Sequence, residues 1–284
     1  MIERNQDGVR FFAFEGFDTR AGVDAVVTTR HGGESLGAFA SLNLGGRTGD
    51  DAEIVKRNRA RAASIVGAAP AWLTFGRQVH DARVVVVGNA QRGDVFDGTD
   101  ALVTNAALVP LVILTADCAA IFFFDPVHRA VGIAHAGWRG TVAGIAARTV
   151  EAMQSAFGSN PGDLIAGIGP SIGPCCYEVG SELIDAVAAA FPDHAEELLI
   201  EPDMASAGSF RASVNEDKKH FDLWRANEIV LRDAGVAEAR IDTSRLCTAC
   251  RTDLFYSHRA EKGHTGRFGG IVMLHEPMLE SPRR

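Results

Sequence analysis

Cys118 and His135 each stand at the end of an apolar run, in "PLVILTADC" and "AVGIAHAGW". A cysteine that only fills a core needs no matching histidine. A nucleophile or a metal ligand does, because the thiolate is the reactive form and an imidazole can hold its proton or share its ion. His80, in "FGRQVHDARVVVV" just before a β-branched run, is a third residue of this kind. One thiolate and two imidazoles leave a tetrahedral zinc ion one ligand short, the open position of a catalytic site, where the ion lowers the pKa of water toward neutrality. The three residues lie far apart in sequence, so spacing alone leaves two readings open: a metal set, or a satisfied core cysteine and two structural histidines.

Other residues invite chemistry less directly. "HAGWRGT" is a glycine-bounded turn entering a helix, with Arg139 beside backbone N–H groups that suit an anion. A tight strand-to-helix turn with a surface arginine explains the same residues. "GIGPSIGP" (167–174) has three glycines at the wrong spacing for a dinucleotide fingerprint, and no helix opens after it. "CTAC" holds Cys247 and Cys250, but a structural zinc needs two further ligands, and the vicinal Cys175–Cys176 is a poor chelating pair. These four read as buried thiols. The nine histidines include no H-x-H pair, which argues against a multicopper oxidase.

The elements that must position these residues follow from local pattern. "DAVVTTR" (24–30), "ARVVVVG" (82–88), "AVGIAHA" (130–136), "LIAGIG" and "GGIVMLHE" read as strands. "VPLVILTAD" and "AAIFFFD" read as one long strand or two pieces, with "AVGIAHA" as antiparallel partner that would bring Cys118 and His135 together. If the strand stays regular, Asp117 points away from Cys118. Helices are expected from Asp51, as cap, to about Val66 with Gly67 ending it, from Thr141 to Phe157, over Ser181–Phe191, and over Asp217–Asp233. "EPDMASAGSF" (201–210) reads as a loop. Strands that pair as hairpins with helices between them predict an α+β fold with mixed sheets, and the absence of repeats or linkers predicts one domain over residues 1–284.

Composition excludes several classes. The 284 residues are 46% hydrophobic and 23% charged, enough to bury a core without staples. A net charge of −8 argues against a general nucleic-acid surface, though an arginine cluster can still hold a small anion. Apolar runs are interrupted by Asp117, Cys118, Asp125 and His128, so no membrane span is expected. "MIERNQDGVRFFAF" has no signal-peptide character, and five cysteines do not read as a disulfide framework, so a cytoplasmic protein is expected.

Taken together, "SLNLG…GDD…NR", "QVH", "TADC…AHAGWRGT", "GPSIGPCCYEVG", "CTAC…FYSHR" and "TGR" resemble the laccase-domain or polyphenol-oxidase-like family over about residues 24–274. Members of that family are understood as purine nucleoside phosphorylases with adenosine deaminase activity. The resemblance implies a layered α/β/β/α arrangement of mixed sheets, similar to the catalytic domain of a cysteine-dependent toxin deamidase. It implies zinc on His80, Cys118 and His135, with copper the less favoured alternative, since thiolate plus imidazole suits zinc or copper(I). It also implies a purine nucleoside (adenosine, inosine, guanosine or methylthioadenosine) and phosphate as substrates. Arg59 and Arg139 are then the expected phosphate partners, with Asn43 on base or sugar and Asp117 or Asp100 as proton-shuttling carboxylate for deamination. Arg47 stands where the family usually has histidine, and a guanidinium there suits phosphate better than it suits a neutral base. A metal-free cysteine hydrolase, with Cys118 as nucleophile and His135 as base, is the alternative, and it leaves His80 unexplained. A binding protein with a closed zinc site would need a fourth ligand, for which the remaining cysteines are the available residues.

Overall fold

Alternating apolar residues along the strands build two sheets that bury both faces. The computed structural model describes residues 1–17, 22–201 and 218–277. The first sheet has seven strands in the order β1 (Ile2–Gln6), β2 (Val9–Ala13), β3 (Val23–Thr28), β16 (Phe268–Leu274), β8 (Leu111–Thr115), β4 (Thr74–Arg77) and β6 (Val95–Asp97). The second has six, in the order β15 (Ile241–Thr243), β11 (Ile165–Ile168), β9 (Ala119–Asp125), β10 (Ala130–Ala136), β7 (Ala101–Thr104) and β5 (Val84–Val86). A small third sheet joins β12 (Glu178–Val179), β14 (Lys219–Phe221) and β13 (Leu199–Ile200). Both large sheets are mixed: β4 runs parallel to β6 and β8, and β11 parallel to β15, while β9, β10 and β7 are antiparallel.

Side-chain alternation sorts residues into layers. Val27, Leu111 and Ile113 of the first sheet meet Ala120, Phe122, Phe124 and Ile133 of the second in the central core. Val26, Val112 and, on β16, Ile271 point outward onto α1 (Ala52–Ile65). On the far side, Ile121, Phe123 and Ala134 face α3 (Ile145–Phe157), α4 (Ser181–Ala190) and α6 (Leu223–Asp233). Two shorter helices are α2 (Trp138–Val142) and α5 (Ala195–Leu198). The outcome is the layered α/β/β/α arrangement of an α+β fold. Gly270 of β16 is what lets the sheets approach, since a Cβ there would lie 2.8 Å from the Phe122 ring.

Four expectations are refined or changed. Of one long strand or two pieces, "PLVILTAD" and "AAIFFFD" are two, β8 and β9, with β10 the antiparallel hairpin partner of β9 as expected, but β8 and β9 lie in different sheets. Asp117, at a φ of 92°, turns the chain from one sheet into the other and breaks the alternation that would have pointed it away from Cys118. The helix expected over residues 141–157 is two, because Gly144 adopts a left-handed φ of 76° between α2 and α3. The helix expected over 217–233 starts only at Leu223, where the Asp222 side chain accepts from the Arg225 N–H, and β14 occupies the preceding residues. By contrast, Asp51 caps α1 by accepting from Glu53 and Ile54 N–H groups, as expected. The loop expected at 201–210 lies almost wholly outside the described residues.

Phe122 is fully buried and packs against Phe14 with ring centroids 5.1 Å apart. Phe122→Ala is therefore expected to cost about 3–5 kcal/mol in chemical denaturation. A loss below about 1 kcal/mol would contradict a close-packed core between the sheets.

Candidate active site

The site begins with a buried carboxylate. Asp100, just before β7, has no exposed surface and accepts from three successive backbone N–H groups: Val79 at 3.0 Å, His80 at 3.0 Å and Asp81 at 3.1 Å. Its Oδ1 also lies 2.9 Å from His135 Nδ1. Its backbone carbonyl accepts from His135 N–H at 2.7 Å. Burial opposes the charge on Asp100, but the His135 and backbone hydrogen bonds outweigh it and hold its pKa below the ordinary value. An ionised carboxylate can only accept, so His135 Nδ1 carries a proton toward Asp100, and Nε2 is the nitrogen that can serve as ligand or base once its own proton is lost.

The same carboxylate shapes the segment that carries His80, which sits at a left-handed φ of 63°. Gln78 fixes the segment's other end. It donates to the Leu114 carbonyl at 2.7 Å and accepts from the Leu114 N–H at 3.0 Å on β8. Both polar residues of "QVH" are thus accounted for, one by a strand and one by the site.

Cys118 follows the turn between sheets. The Asp117 carboxylate accepts from Thr248 Oγ1 and from Arg259 N–H, each at 2.6 Å, and its carbonyl accepts from Ile172 N–H at 2.8 Å. The ligating atoms of His80, Cys118 and His135 all lie within 4.8 Å of one another, with the two rings nearly perpendicular at 4.8 Å between centroids. His135 is buried, Cys118 half-buried and His80 exposed, so the set opens toward solvent on one side. Gly137 keeps it open within: a Cβ there would meet Cys118 Sγ at 2.8 Å and His80 Cδ2 at 3.1 Å.

Burial works against charge at both Cys118 and His135, yet their mutual attraction and hydrogen bonding prevail. Cys118 is brought down to about 6, with His80 contributing. His135 is raised to about 9, helped by Asp100. A thiolate and two imidazoles at this separation fit a soft, tetrahedral divalent ion, and zinc suits that donor set.

These residues open into a cavity of about 680 Å³. Arg47, Arg59, Arg77, Arg259 and Arg267 line it, as do Phe75 and Tyr177. Burial lowers the Arg59 and Arg267 pKa values, but a guanidinium stays charged at neutral pH. Arg59 donates to the Leu44 carbonyl at 2.9 Å and stacks 4.6 Å from the Phe75 ring centroid. Burial, then the Cys118 charge, pushes the Tyr177 phenol up, so it remains a proton donor.

Two expected residues lie elsewhere. Arg139 is absent from the cavity wall: it pairs with Glu182 at 2.8 Å and covers the Trp138 ring on the exposed face of α2. A five-residue helix with its arginine turned away does not make the anion site that "HAGWRGT" suggested. Asn43 is fully buried, and its amide is taken up by the Gly45 carbonyl, Thr48 and Asp50. Its Oδ1 accepts from the Gly45 and Arg267 N–H groups. Asn43 therefore positions the glycine turn and Arg267 rather than facing substrate. Arg77, Arg259, Arg267 and Tyr177 were not singled out from sequence, although "FYSHR", "TGR" and "CCYEVG" carry the last three. The four remaining cysteines form a group of their own and do not complete the first set.

With this geometry established, the chain belongs to the family described as multi-copper polyphenol oxidoreductase laccase, whose profile matches residues 24–275. Among its relatives, the purine nucleoside phosphorylase YlmD of Geobacillus stearothermophilus is 39% identical over 266 residues, covering 89% of this chain and 90% of the relative. The adenosine deaminase RL5, from an unknown prokaryotic organism, is 35% identical and covers 88% and 94%. The solved structure of the Bacillus licheniformis hypothetical protein YfiH superposes with a TM-score of 0.85 at 33% identity, covering 96% of this chain and 98% of that one.

Removing one acceptor oxygen from the buried carboxylate tests the organisation of the site. Asp100→Asn is expected to weaken divalent-metal binding at this set about 10–100-fold in chelator competition, because it loosens both His135 and the 79–81 segment. Unchanged affinity would show that neither imidazole depends on Asp100.

Proposed function

We propose that this chain is a zinc-dependent purine nucleoside phosphorylase with adenosine deaminase activity. Its substrates are adenosine, inosine, guanosine or methylthioadenosine, and the whole chain acts as one domain. The observation that carries this reading is the meeting, in one cavity, of the His80–Cys118–His135 set with Arg59, Arg259 and Arg267. The names of the relatives point the same way. The five free cysteines fit a reducing cytoplasm, and among the described residues no helix is long and apolar enough to cross a membrane.

Phosphorolysis breaks the bond between the sugar's anomeric carbon and the purine and forms a bond from that carbon to a phosphate oxygen. The chain's part is to hold an anion in line with the sugar and to stabilise the departing base. Arg59, Arg259 and Arg267 supply positive charge for phosphate, and the exposed Arg47 adds to it, while Arg77 on the same wall is paired with Asp97. Phe75 and Tyr177 offer aromatic surface to the purine, and the Tyr177 phenol is a donor to it. A zinc ion on His80, Cys118 and His135 supplies a Lewis acid, the chemistry that deamination at C6 requires. Asp100 has both oxygens saturated and cannot shuttle protons. Asp117 lines the cavity with one hydrogen bond on each oxygen, so it keeps acceptor capacity for that role.

Incubating the zinc-loaded protein with adenosine, with and without phosphate, and separating the products by chromatography tests the proposal. Adenine is expected only with phosphate and inosine without it, both abolished by Cys118→Ala. Arg267→Met should raise the phosphate concentration for half-maximal rate about 10–100-fold, the weight of a charge-assisted hydrogen bond. Neither product under either condition would sink the proposal.

The Cys118–His135 charge pair favours one other reading, a metal-free cysteine hydrolase. That enzyme would survive chelation and die on thiol alkylation, whereas the phosphorylase loses activity to both.

A further inference from the structure

We propose that Cys175, Cys176, Cys247 and Cys250 form a second metal site, taking a thiophilic ion of the zinc or copper(I) class through four sulfur atoms. This inference does not depend on the proposed function, because none of the four belongs to the His80–Cys118–His135 set.

The four residues come from two distant segments. Cys175 and Cys176 lie on the turn that follows β11, and Cys247 and Cys250 on the turn that follows β15. Their sulfur atoms all lie within 4.8 Å of one another. Cys250 Sγ is 3.5 Å from Cys175 Sγ and 3.4 Å from Cys176 Sγ. A disulfide needs about 2.05 Å. Zinc–sulfur bonds of about 2.3 Å at tetrahedral angles put the sulfurs about 3.8 Å apart, close to what is found. Four thiols packed merely as small hydrophobes have no reason to turn their sulfurs toward a common point.

The local backbone explains how adjacent cysteines manage this. Cys176 and Tyr177 N–H groups both donate to the Gly173 carbonyl at 3.0 Å, a tight turn that swings Cys175 and Cys176 toward the same side. Gly173 is required there, because a Cβ would lie 2.4 Å from the Trp224 ring. The Gly173 N–H points at Cys247 Sγ at 3.3 Å, the kind of donor that supports a negatively charged sulfur ligand. The opposite segment is held by the Ser171–Cys247 bridge and by Thr248 N–H donating to the Ser171 carbonyl at 3.1 Å. Binding forms four sulfur–metal bonds and releases the thiol protons to solvent.

Such an ion would serve as a clamp on the cavity wall. Tyr177 directly follows Cys176, and Thr248 directly follows Cys247 and holds Asp117. Joining the two turns therefore fixes two groups that face the cavity.

The test measures metal per chain in untagged full-length protein, reduced, exposed to zinc and then desalted, for the wild type, Cys118→Ala and Cys247→Ser. Two equivalents are expected in the wild type and one in each variant. Cobalt(II)-loaded Cys118→Ala should show the intense charge-transfer absorption of a multi-thiolate ion. Should the His80–Cys118–His135 set bind nothing, the wild type and Cys118→Ala would each hold one equivalent, and the cysteine site would still stand. Cys247→Ser may be omitted if it does not fold, since Cys118→Ala carries the answer alone. A metal-free Cys118→Ala protein whose four remaining cysteines all alkylate as free thiols overturns the proposal. So does a disulfide among them that persists in the reduced preparation.

Discussion

The site depends on one buried anion. The Asp100 carboxylate is removed from water entirely, a cost of several kcal/mol if it were left unpaired. Three backbone N–H groups and the His135 ring answer it, each charge-assisted hydrogen bond contributing about 1.5–3 kcal/mol. Those contributions exceed the desolvation penalty, which is why the group stays ionised. Because it stays ionised, it fixes the His135 tautomer and holds the 79–81 segment in a conformation that few residues adopt freely. Two of the three candidate ligands are therefore positioned by the same pair of oxygen atoms.

The third ligand is positioned by topology. Cys118 sits where the chain leaves one sheet and enters the other, at a turn secured by Asp117, Thr248, Ile172 and Arg259. That crossing places a thiolate at the sheet ends, beside a cavity that Gly45, Gly46, Arg47, Thr48 and Arg267 also line. Asn43 links the two halves of the positive wall without touching the cavity. The acidic chain thus concentrates guanidinium groups at one place.

Much of this was legible in the sequence, for identifiable reasons. Capped or strongly periodic segments such as α1 and β9–β10 declare themselves through local pattern, and Cys118 and His135 stood out because each closed an apolar run. The division of β8 and β9 between two sheets was not legible, because a left-handed Asp117 gives no signal in composition. The roles of Arg259 and Arg267 were hidden in the same way, since an arginine in a loop looks the same whether it faces solvent or a cavity. Arg139 misled for the converse reason: its glycine-bounded turn was real, but the side chain found Glu182. The four cysteines read in sequence as buried thiols, yet only Cys247 is buried, and their convergence is hidden because the two segments meet only through the fold.

X-ray diffraction at the zinc absorption edge, on crystals grown with zinc and phosphate, tests the central claim most directly. The account predicts an anomalous peak about 2.3 Å from Cys118 Sγ and about 2.0–2.1 Å from one nitrogen each of His80 and His135, with Asp100 still bound to His135 Nδ1. A cavity with no peak between those three residues, or an ion bound instead to the Asp100 carboxylate, would contradict it.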